Sequence, residues 1–248
     1  MNLYHSPELF KTDTRITAGI TYAGRDYINS KGEIPGLNLG DNTNAPASEV
    51  ERNFNLLADS LNYSPGEIAL AEQVHGNEVQ IVKRSGFYEN VDGLITSQND
   101  LTIAIKVADC AAILLKDSSS GVIGAVHAGW RGAAANILPS ALEKLQGAGA
   151  DIQNTSAYIS PCISLENFEV GEEVAEQFDP MFINREIGAK PHLDLKSFLK
   201  QQLLAYGIAD EHIETDPRCT FEDEHFYSYR RERDKAGRML AFIRCSSN

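Results

Sequence analysis

Three residues able to bind a metal or act in catalysis lie at the ends of apolar or glycine-containing runs: His75, Cys110 and His127. His75 lies within Gln73-Val-His-Gly76 and Cys110 closes Ala108-Asp-Cys110, whereas His127 ends an apolar run. Each of them alone is commonly structural, because a lone buried cysteine packs as a small apolar residue and a lone histidine forms hydrogen bonds. Together, two imidazoles and a thiolate match catalytic zinc sites that have three protein ligands and an open fourth position.

The spacing of these residues matches no compact metal motif. The chain has no His-Glu-x-x-His run, and Pro161-Cys162 is not followed by the second cysteine of the nucleoside-deaminase signature. Two other readings therefore stay open. Cys110 can be a nucleophile activated by His127 without a metal. Alternatively, the set is a structural zinc site in which Cys162 or Cys219 supplies a fourth ligand.

The run His127-Ala-Gly-Trp-Arg-Gly132 is the most distinctive short segment. Gly129 and Gly132 allow a ligand to approach the backbone closely, and Arg131 offers a bidentate guanidinium. A helix N-terminus predicted just beyond this run adds free N–H groups, so the segment predicts an anion cradle. The alternative is a tight turn in which Trp130 fills the core.

A second basic cluster lies near the C-terminus and comprises Tyr229-Arg-Arg231, Arg233, Lys235 and Arg238. Because the chain is acidic overall, this cluster indicates either a contact with an anion, through Arg230 above all, or a solvated face. In the second reading its charges pair with the acidic residues 222–224.

The strands that must position these residues follow from hydrophobic patterning. Short apolar runs predict strands buried on both faces, and looser alternation predicts a strand nearer the N-terminus. The predicted strands are residues 15–22, 101–107, 111–115, 122–126 and 240–244. Cys110 then falls between two strands, and His127 directly follows a third.

Helices are predicted from caps and from helical periodicity. Ser48 and Glu51 form the pattern of a capping box before an apolar helical stripe. The other predicted helices are residues 133–146 with a kink at Pro139, 172–178, and 194–206 closed by Gly207. Residues 24–44 favour a long ordered loop. Interspersed strands and helices without a linker predict one α/β (α+β) domain over residues 1–248, with a central mixed β-sheet flanked by helices.

Composition excludes several classes of protein. With 42% hydrophobic and 23% charged residues, the chain is neither a disordered segment nor a fibre. A net charge of −13 disfavours nucleic acid and anionic membranes as partners. No apolar run reaches the ~18–20 residues of a membrane span, and no signal peptide is evident. The four cysteines are too widely spaced for a small disulfide scaffold, so we expect a cytoplasmic protein, and we expect a monomer.

Five blocks, taken in order, resemble the bacterial laccase-domain family. They are Gln73-Val-His-Gly76, Ala108-Asp-Cys110, His127-Ala-Gly-Trp-Arg-Gly132, Phe168-Glu-Val-Gly171, and Tyr229-Arg-Arg231 with Gly237-Arg238. Members of this family are called polyphenol oxidase, purine nucleoside phosphorylase or peptidoglycan editing factor. The resemblance implies one α/β domain with a mixed sheet, and His75, Cys110 and His127 as ligands of zinc, with copper as the alternative metal.

The resemblance also implies phosphorolysis of adenosine, inosine, guanosine or methylthioadenosine, deamination of adenosine and, in some members, editing of cell-wall precursors. In this reading the metal activates water for attack at purine C6, or Arg131 helps to hold phosphate beside the ribose. Asp109 and Asp92 are then candidates to orient ligands or to act as acid or base. The alternative enzyme is a zinc or cysteine amide hydrolase that edits a peptidoglycan precursor with nucleosides as side substrates.

The number of histidines excludes one further alternative, a four-copper oxidase. A four-copper oxidase needs a blue-copper centre and a trinuclear cluster held by many more imidazoles. The chain has six histidines in all, so such a cluster cannot be formed. Oxidation of polyphenols by copper bound at the single His, Cys, His site remains an alternative.

Overall fold

The protein is built on two six-stranded β-sheets that pack face to face. The computed structural model describes residues 2–29 and 31–247. The strands are β1 (Tyr4–His5), β2 (Ile16–Thr21), β3 (Ile68–Ala71), β4 (Val79–Ile81), β5 (Gly86–Tyr88), β6 (Gly93–Thr96), β7 (Thr102–Val107), β8 (Ala111–Asp117), β9 (Ile123–Ala128), β10 (Thr155–Ile159), β11 (Ile183–Asn184), β12 (His192–Leu193), β13 (Ile213–Thr215) and β14 (Met239–Cys245). The α-helices are α1 (Ala47–Leu61), α2 (Trp130–Ala134), α3 (Ile137–Gly147), α4 (Glu172–Ala175), α5 (Leu195–Tyr206) and α6 (Tyr229–Glu232).

Both large sheets are mixed. The first has the strand order β1-β2-β14-β7-β3-β5 and the second the order β13-β10-β8-β9-β6-β4, while β11 and β12 form a separate pair. Strand β3 is parallel to β5 and β7 in the first sheet, and β10/β13 and β4/β6 are parallel in the second. The predicted α+β class with mixed strands and flanking helices is confirmed. The strands form two sheets, however, where the sequence analysis predicted a single central one.

The two sheets arise because the chain repeatedly crosses from one to the other. Strand β7 belongs to the first sheet and β8 to the second, although only residues 108–110 separate them. Segments 72–78 and 89–92 cross in the same way, between β3 and β4 and between β5 and β6. An apolar run is compatible with burial in either sheet, so the pattern of the runs does not show which sheet each one joins.

Three hydrophobic layers hold this arrangement together. One lies between the sheets and includes Ile105 and Leu114. The second joins α3 and α5 to the outer face of the second sheet, and the third joins α1 to the outer face of the first sheet through Leu57 and Phe242. Burial on both faces explains the apolar composition of β7, β8 and β9, which is as predicted.

Helix α1 has the predicted apolar stripe but not the predicted capping box. Val50, Leu57 and Leu61 are buried, as expected of the face that packs on a sheet. The helix begins at Ala47, after Pro46, and among the residues that the structure describes no side chain caps its N-terminus. Ser48 therefore lies inside the first turn, where its hydroxyl cannot serve as the N-cap.

The helical region after β9 is broken at a different place from the predicted one. Asn136 adopts a left-handed conformation, with φ 62°, and separates α2 from α3. Pro139 lies in the first turn of α3, where its missing N–H and fixed φ are tolerated, so it causes no kink. Residues 133–146 thus form parts of two helices.

The later helices agree with prediction in position and partly in length. Helix α5 has Asp194 as its N-cap and Gly207, with φ 111°, as its left-handed C-cap. Helix α4 ends at Ala175, short of the predicted residue 178, because Phe178 turns into the core against Phe198. In residues 2–29 and 31–247, no helix has both the length and the apolar composition needed to cross a membrane.

Candidate metal centre

Two histidines and a cysteine from distant parts of the chain meet at one end of the sheet sandwich. Potential ligand atoms of His75, Cys110 and His127 all lie within 4.8 Å of one another. The two imidazole rings stand edge to face, with centroids 4.8 Å apart. The structure therefore brings together the three residues that the sequence analysis singled out, although their spacing did not require it.

The crossings between the sheets place these residues. Cys110 ends the link between β7 and β8, His75 lies in the link between β3 and β4, and His127 is the fifth residue of β9. The link between β5 and β6 ends at Asp92, next to both histidines. The cluster thus lies where three links between the two sheets converge beside one strand.

Asp92 holds the two histidines in place. It is fully buried, and its Oδ1 lies 2.7 Å from His127 Nδ1. The same carboxylate accepts the backbone N–H groups of Val74, His75 and Gly76 at 3.2, 2.9 and 2.7 Å. A carboxylate on one ring nitrogen orients a histidine and leaves the other nitrogen for a metal.

The charges of the cluster favour a thiolate in the absence of a cation. Burial opposes ionisation of Cys110, but the charge of His127 and hydrogen bonds from His127 and His75 lower the pKa of the thiol to about 6. Burial disfavours charge on His127 as well, yet the Cys110 thiolate and Asp92 raise its pKa to about 9. Thiolate and imidazole are established zinc and copper ligands, so the donor set fits the metal that the family resemblance implies.

Left-handed backbone conformations occur at two positions beside the cluster. His75 has φ 61° and Asp109 has φ 80°, both in a region that residues other than glycine rarely occupy. Asp109 is held by hydrogen bonds, because its Oδ1 accepts from the Thr220 hydroxyl and its Oδ2 from the Arg230 backbone N–H, both at 2.6 Å. The C-terminal part of the chain thereby supports the turn that presents Cys110.

Gly129 leaves room for the cluster itself. A Cβ atom at this position would lie 2.9 Å from Cys110 Sγ and 3.4 Å from the His75 ring. Gly132 is similarly confined, since a Cβ there would lie 2.7 Å from the Gly76 carbonyl oxygen. Helix α2 begins at Trp130, directly after Gly129, so the predicted helix start beyond Gly132 is wrong, whereas the anion cradle at Gly129, Arg131 and Gly132 stays a prediction.

A cavity of about 790 Å³ opens over the cluster. One part of its wall is apolar and comprises Trp130, Ile163, Phe168 and Leu195. The polar and charged lining includes Asp41, Asn42, Glu72, Gln73, Lys106, Asp109, Arg131, Arg230 and Arg238. This volume is within the range of small-molecule sites, and the mixture of apolar and charged walls suits a ligand with an aromatic part and an anionic part.

The two predicted substrate-binding arginines, Arg131 and Arg230, both line this cavity but differ in solvent exposure and in their contacts. Arg131 is exposed and stacks on Trp130, with its guanidinium carbon 4.3 Å from the ring centroid. Arg230 is half-buried and donates to the carbonyl oxygens of Asn167 and Glu169 at 3.3 and 2.9 Å. Arg231 faces away from the cavity and binds backbone carbonyls and Glu232.

Gln73 is a structural element of the site that the sequence patterns did not reveal. Its side-chain amide donates to the Lys106 carbonyl and accepts the Lys106 N–H, both at 2.7 Å. These two hydrogen bonds continue the pairing of β3 with β7 beyond the end of β3. They also tie the segment that contains His75 to β7, the strand that precedes Cys110. No local pattern reveals this contact, because it joins residues 33 positions apart.

The remaining histidines and cysteines do not extend the cluster. Within residues 2–29 and 31–247, His75, Cys110 and His127 form the one group able to hold a metal through three or more ligands of this kind. Cys162 and Cys219 instead pair through backbone as an isolated bridge, and neither belongs to the cluster. The part of the chain that the structure describes therefore supplies neither a fourth cysteine ligand nor a trinuclear copper cluster.

Comparison with known proteins agrees with this architecture. A model of the family described as multi-copper polyphenol oxidoreductase laccase matches residues 20–246. The chain belongs to this family. The resemblance inferred from the five sequence blocks is thus confirmed. The family description refers to several copper ions, whereas the described residues of this member offer one cluster of three ligands.

Two relatives are similar to this chain in sequence, and one solved structure is similar to it in fold. The chain is 36% identical over 210 residues to a purine nucleoside phosphorylase of Corynebacterium glutamicum, covering 82% of this chain and 85% of that one. It is 37% identical over 217 residues to a purine nucleoside phosphorylase of Deinococcus radiodurans, covering 86% and 84%. The crystal structure of YlmD from Geobacillus stearothermophilus superposes with a TM-score of 0.89 and 28% identity over 100% of both chains.

Proposed function

We propose that the protein is a zinc-dependent purine nucleoside phosphorylase that also accepts methylthioadenosine and deaminates adenosine. The observation that carries this proposal is the convergence of His75, Cys110 and His127 beneath a cavity large enough for a nucleoside. Relatives named purine nucleoside phosphorylase, at 36% and 37% identity, support the reaction class. The four free cysteines suit the expected cytoplasmic location, and we retain the expectation of a monomer.

In this proposal His75, Cys110 and His127 hold the metal. When bound, zinc supplies a fixed positive charge and a Lewis-acid position beside the cavity. Phosphorolysis transfers no electrons, which suits a redox-inert ion better than copper. Asp92 sets the ring orientation of His127 through Nδ1, and it accepts the backbone N–H of His75, which holds His75 close to His127.

The apolar wall of the cavity and its charged wall suggest how the substrates lie. The wall formed by Trp130 and Phe168 suits a purine ring, whereas Arg131, Gly129 and Arg230 belong to the parts of the lining proposed to contact substrate. In phosphorolysis an oxygen of phosphate bonds to ribose C1′ as the bond from C1′ to the purine nitrogen breaks. The electron pair of that bond leaves with the purine, which gains a proton.

Asp109 is proposed as the carboxylate that acts on the reacting ribose. It lines the cavity beside Cys110, and its oxygens accept hydrogen bonds from the Thr220 hydroxyl and from the Arg230 backbone N–H, which fix its orientation. A carboxylate in such a position can stabilise the positive charge that develops at C1′ when the glycosidic bond breaks. Asp109 thus connects the proposed chemistry with the C-terminal segment that carries Arg230.

The proposal is tested with untagged protein, metal analysis and chromatography. We expect about one zinc per chain, and we expect adenine and ribose 1-phosphate from adenosine only when phosphate is present; inosine reports deamination. His75→Ala should abolish both zinc binding and turnover, whereas His225→Ala, whose side chain is 80% exposed away from the cavity, should retain both. Zinc binding without nucleoside turnover would sink the proposal.

A second candidate is a cysteine amide hydrolase that edits a peptidoglycan precursor. The observation that favours it is the chain of contacts from Cys110 through His127 to Asp92, together with the Cys110 pKa of about 6. Nucleophilic cysteine enzymes use the same order of groups. This candidate predicts amide hydrolysis by metal-free protein, whereas phosphorolysis requires the loaded centre.

A further inference from the structure

The arginine side chains of this protein fall into two groups, those with a carboxylate beside the guanidinium and those without one. Seven of them are buried or half-buried in the structure. Five of the seven have a carboxylate within 4.0 Å, namely Arg15, Arg25, Arg218, Arg231 and Arg244. Arg230 and Arg238 have none among the residues that the structure describes, and both line the cavity over the metal centre. A cation withdrawn from water without an anion beside it is costly, so these two indicate a site for an anionic ligand.

Arg238 is held firmly while part of its guanidinium stays free. Its backbone N–H donates to Asn38 Oδ1 at 2.9 Å, and its side-chain stem lies against Gly40, where a Cβ atom would come within 2.5 Å of Arg238 Cγ. Its Nη1 donates to the carbonyl oxygens of Ala236 and Gly237 at 2.8 and 3.1 Å. Within the described residues, Nε and Nη2 donate to no protein acceptor.

The free edge of Arg238 has the geometry that oxyanions bind. The Nε and Nη2 groups of a guanidinium form a planar fork that matches two oxygens of a phosphate or carboxylate. In Arg230 both terminal nitrogens already bind carbonyl oxygens, so this residue contributes charge more than free donors. Burial also lowers the pKa of Arg238, as expected of a desolvated cation.

Among the described residues, no acid that lines the same cavity lies within 4.0 Å of either guanidinium, although Cys110 and Asp109 attract Arg238 from farther away. Asp41 pairs with Lys106 at 2.5 Å. Asp109 accepts the Thr220 hydroxyl and a backbone N–H. Glu72 is exposed to solvent. Within the described residues neither guanidinium has a direct ion pair, so both can attract an anionic ligand that enters the cavity.

We propose that Arg238, supported by the charge of Arg230, binds the phosphate co-substrate. This inference rests on the proposed phosphorylase function and assigns the phosphate end of the site. The phosphate accepts two hydrogen bonds from Nε and Nη2 of Arg238, and the purine lies toward the apolar wall at Trp130. Arg131, which is exposed and stacked on that tryptophan, lies at the outer part of the cavity.

Binding of inorganic phosphate, measured by calorimetry on the metal-loaded protein, tests this assignment together with steady-state kinetics. Arg238→Gln should weaken phosphate binding and raise the KM for phosphate by roughly 10- to 100-fold, the effect of losing charge-assisted hydrogen bonds. The KM for nucleoside should change less than the KM for phosphate. Arg238→Lys, which keeps the charge but loses the fork, should give an intermediate loss. Arg52→Gln, at an exposed position on α1, is the matched control and should leave both constants unchanged.

The outcomes separate this inference from the function on which it rests. A folded Arg238→Gln protein with wild-type phosphate affinity and KM overturns the assignment. If Arg238→Gln does not fold, as judged by thermal unfolding, Arg238→Lys replaces it in the test. Wild-type phosphate affinity and a wild-type KM for phosphate in Arg238→Lys then overturn the assignment. If the wild-type protein binds phosphate through Arg238 but cleaves no nucleoside, the phosphorylase proposal fails and the anion site stands. Absence of both phosphate binding and phosphate-dependent cleavage overturns both.

Discussion

The carboxylate of Asp92 lies 2.7 Å from Nδ1 of His127 and is completely buried. Burial works against the charged form of Asp92, yet the hydrogen bond and the charge of His127 lower the pKa of the carboxyl below its ordinary value. The same carboxylate also holds the backbone of His75. One acid therefore positions two of the three candidate ligands, although it is not one of the three itself.

Replacing Asp92 should weaken metal binding more than folding. Asp92→Asn removes the charge that orients His127, and loss of such supporting partners commonly reduces metal affinity by about 10- to 100-fold. Competition with a chromophoric chelator measures the affinity, and thermal unfolding of metal-free protein reports the fold. Asp59→Asn, at an exposed position on α1, is the control. Metal affinity equal to wild type in Asp92→Asn would show that His127 needs no such support.

A methyl group at position 129 should disrupt the cluster. In Gly129→Ala the new Cβ meets Cys110 Sγ at 2.9 Å, so either the sulfur or the turn must move. We expect loss of most metal binding, measured by elemental analysis after gel filtration. Gly147→Ala is the matched control, because a Cβ there meets no atom within 4 Å and alanine favours the end of α3. Full metal content in Gly129→Ala would show that the cluster tolerates a Cβ atom beside Cys110 Sγ.

Metal should protect Cys110 from alkylation. With the cation removed, the thiol has a pKa of about 6 and is largely thiolate at pH 7, so iodoacetamide should modify it rapidly. Cys162 is the internal comparison, because burial raises the pKa of its thiol to about 12. Peptide mass spectrometry before and after chelation measures the labelling of each cysteine. Rapid labelling of Cys110 in metal-loaded protein, with loss of activity that chelation alone does not cause, would instead favour the cysteine hydrolase.

Asp216 should contribute stability that acid removes. It is buried and accepts hydrogen bonds from Tyr158 at 3.0 Å and from the Arg218 side chain. Burial opposes its charge, but Arg218 lowers its pKa overall, so its stabilisation is present above the unfolded pKa of about 3.9 and is lost as pH falls through the lower folded value.

Urea unfolding between pH 7 and pH 3 tests the role of Asp216. Asp216→Asn should lower the free energy of unfolding at pH 7 by about 1–3 kcal/mol, as expected when a buried network loses a partner. The difference from wild type should shrink as the pH falls below about 4, where the Asp216 carboxylate of the unfolded chain takes up a proton while that of the folded protein, with its lower pKa, still holds none. Asp59→Asn should show neither effect. A difference that stays constant across this pH range would mean that the charge of Asp216 adds nothing.

Much of the local structure and the family were determined by the sequence alone. Short, mostly apolar runs predicted β7, β8 and β9, because a strand buried on both faces is apolar over most of its length, and β14 was predicted as the final strand. The end of α5 at the C-cap Gly207 was equally predictable, since capping depends on neighbours along the chain. The five blocks identified the family, and they contained the three residues of the cluster.

Only the tertiary structure decided how these pieces meet. The strands form two sheets because the chain crosses between them at residues 72–78, 89–92 and 108–110, and those crossings bring His75, Asp92 and Cys110 together. Hydrophobic periodicity reports whether a residue is buried but not which strand lies beside it. The Gln73 contact with Lys106 and the place of Arg238 in the cavity likewise depend on residues far away in sequence. Long-range packing, which no local pattern records, created the candidate site.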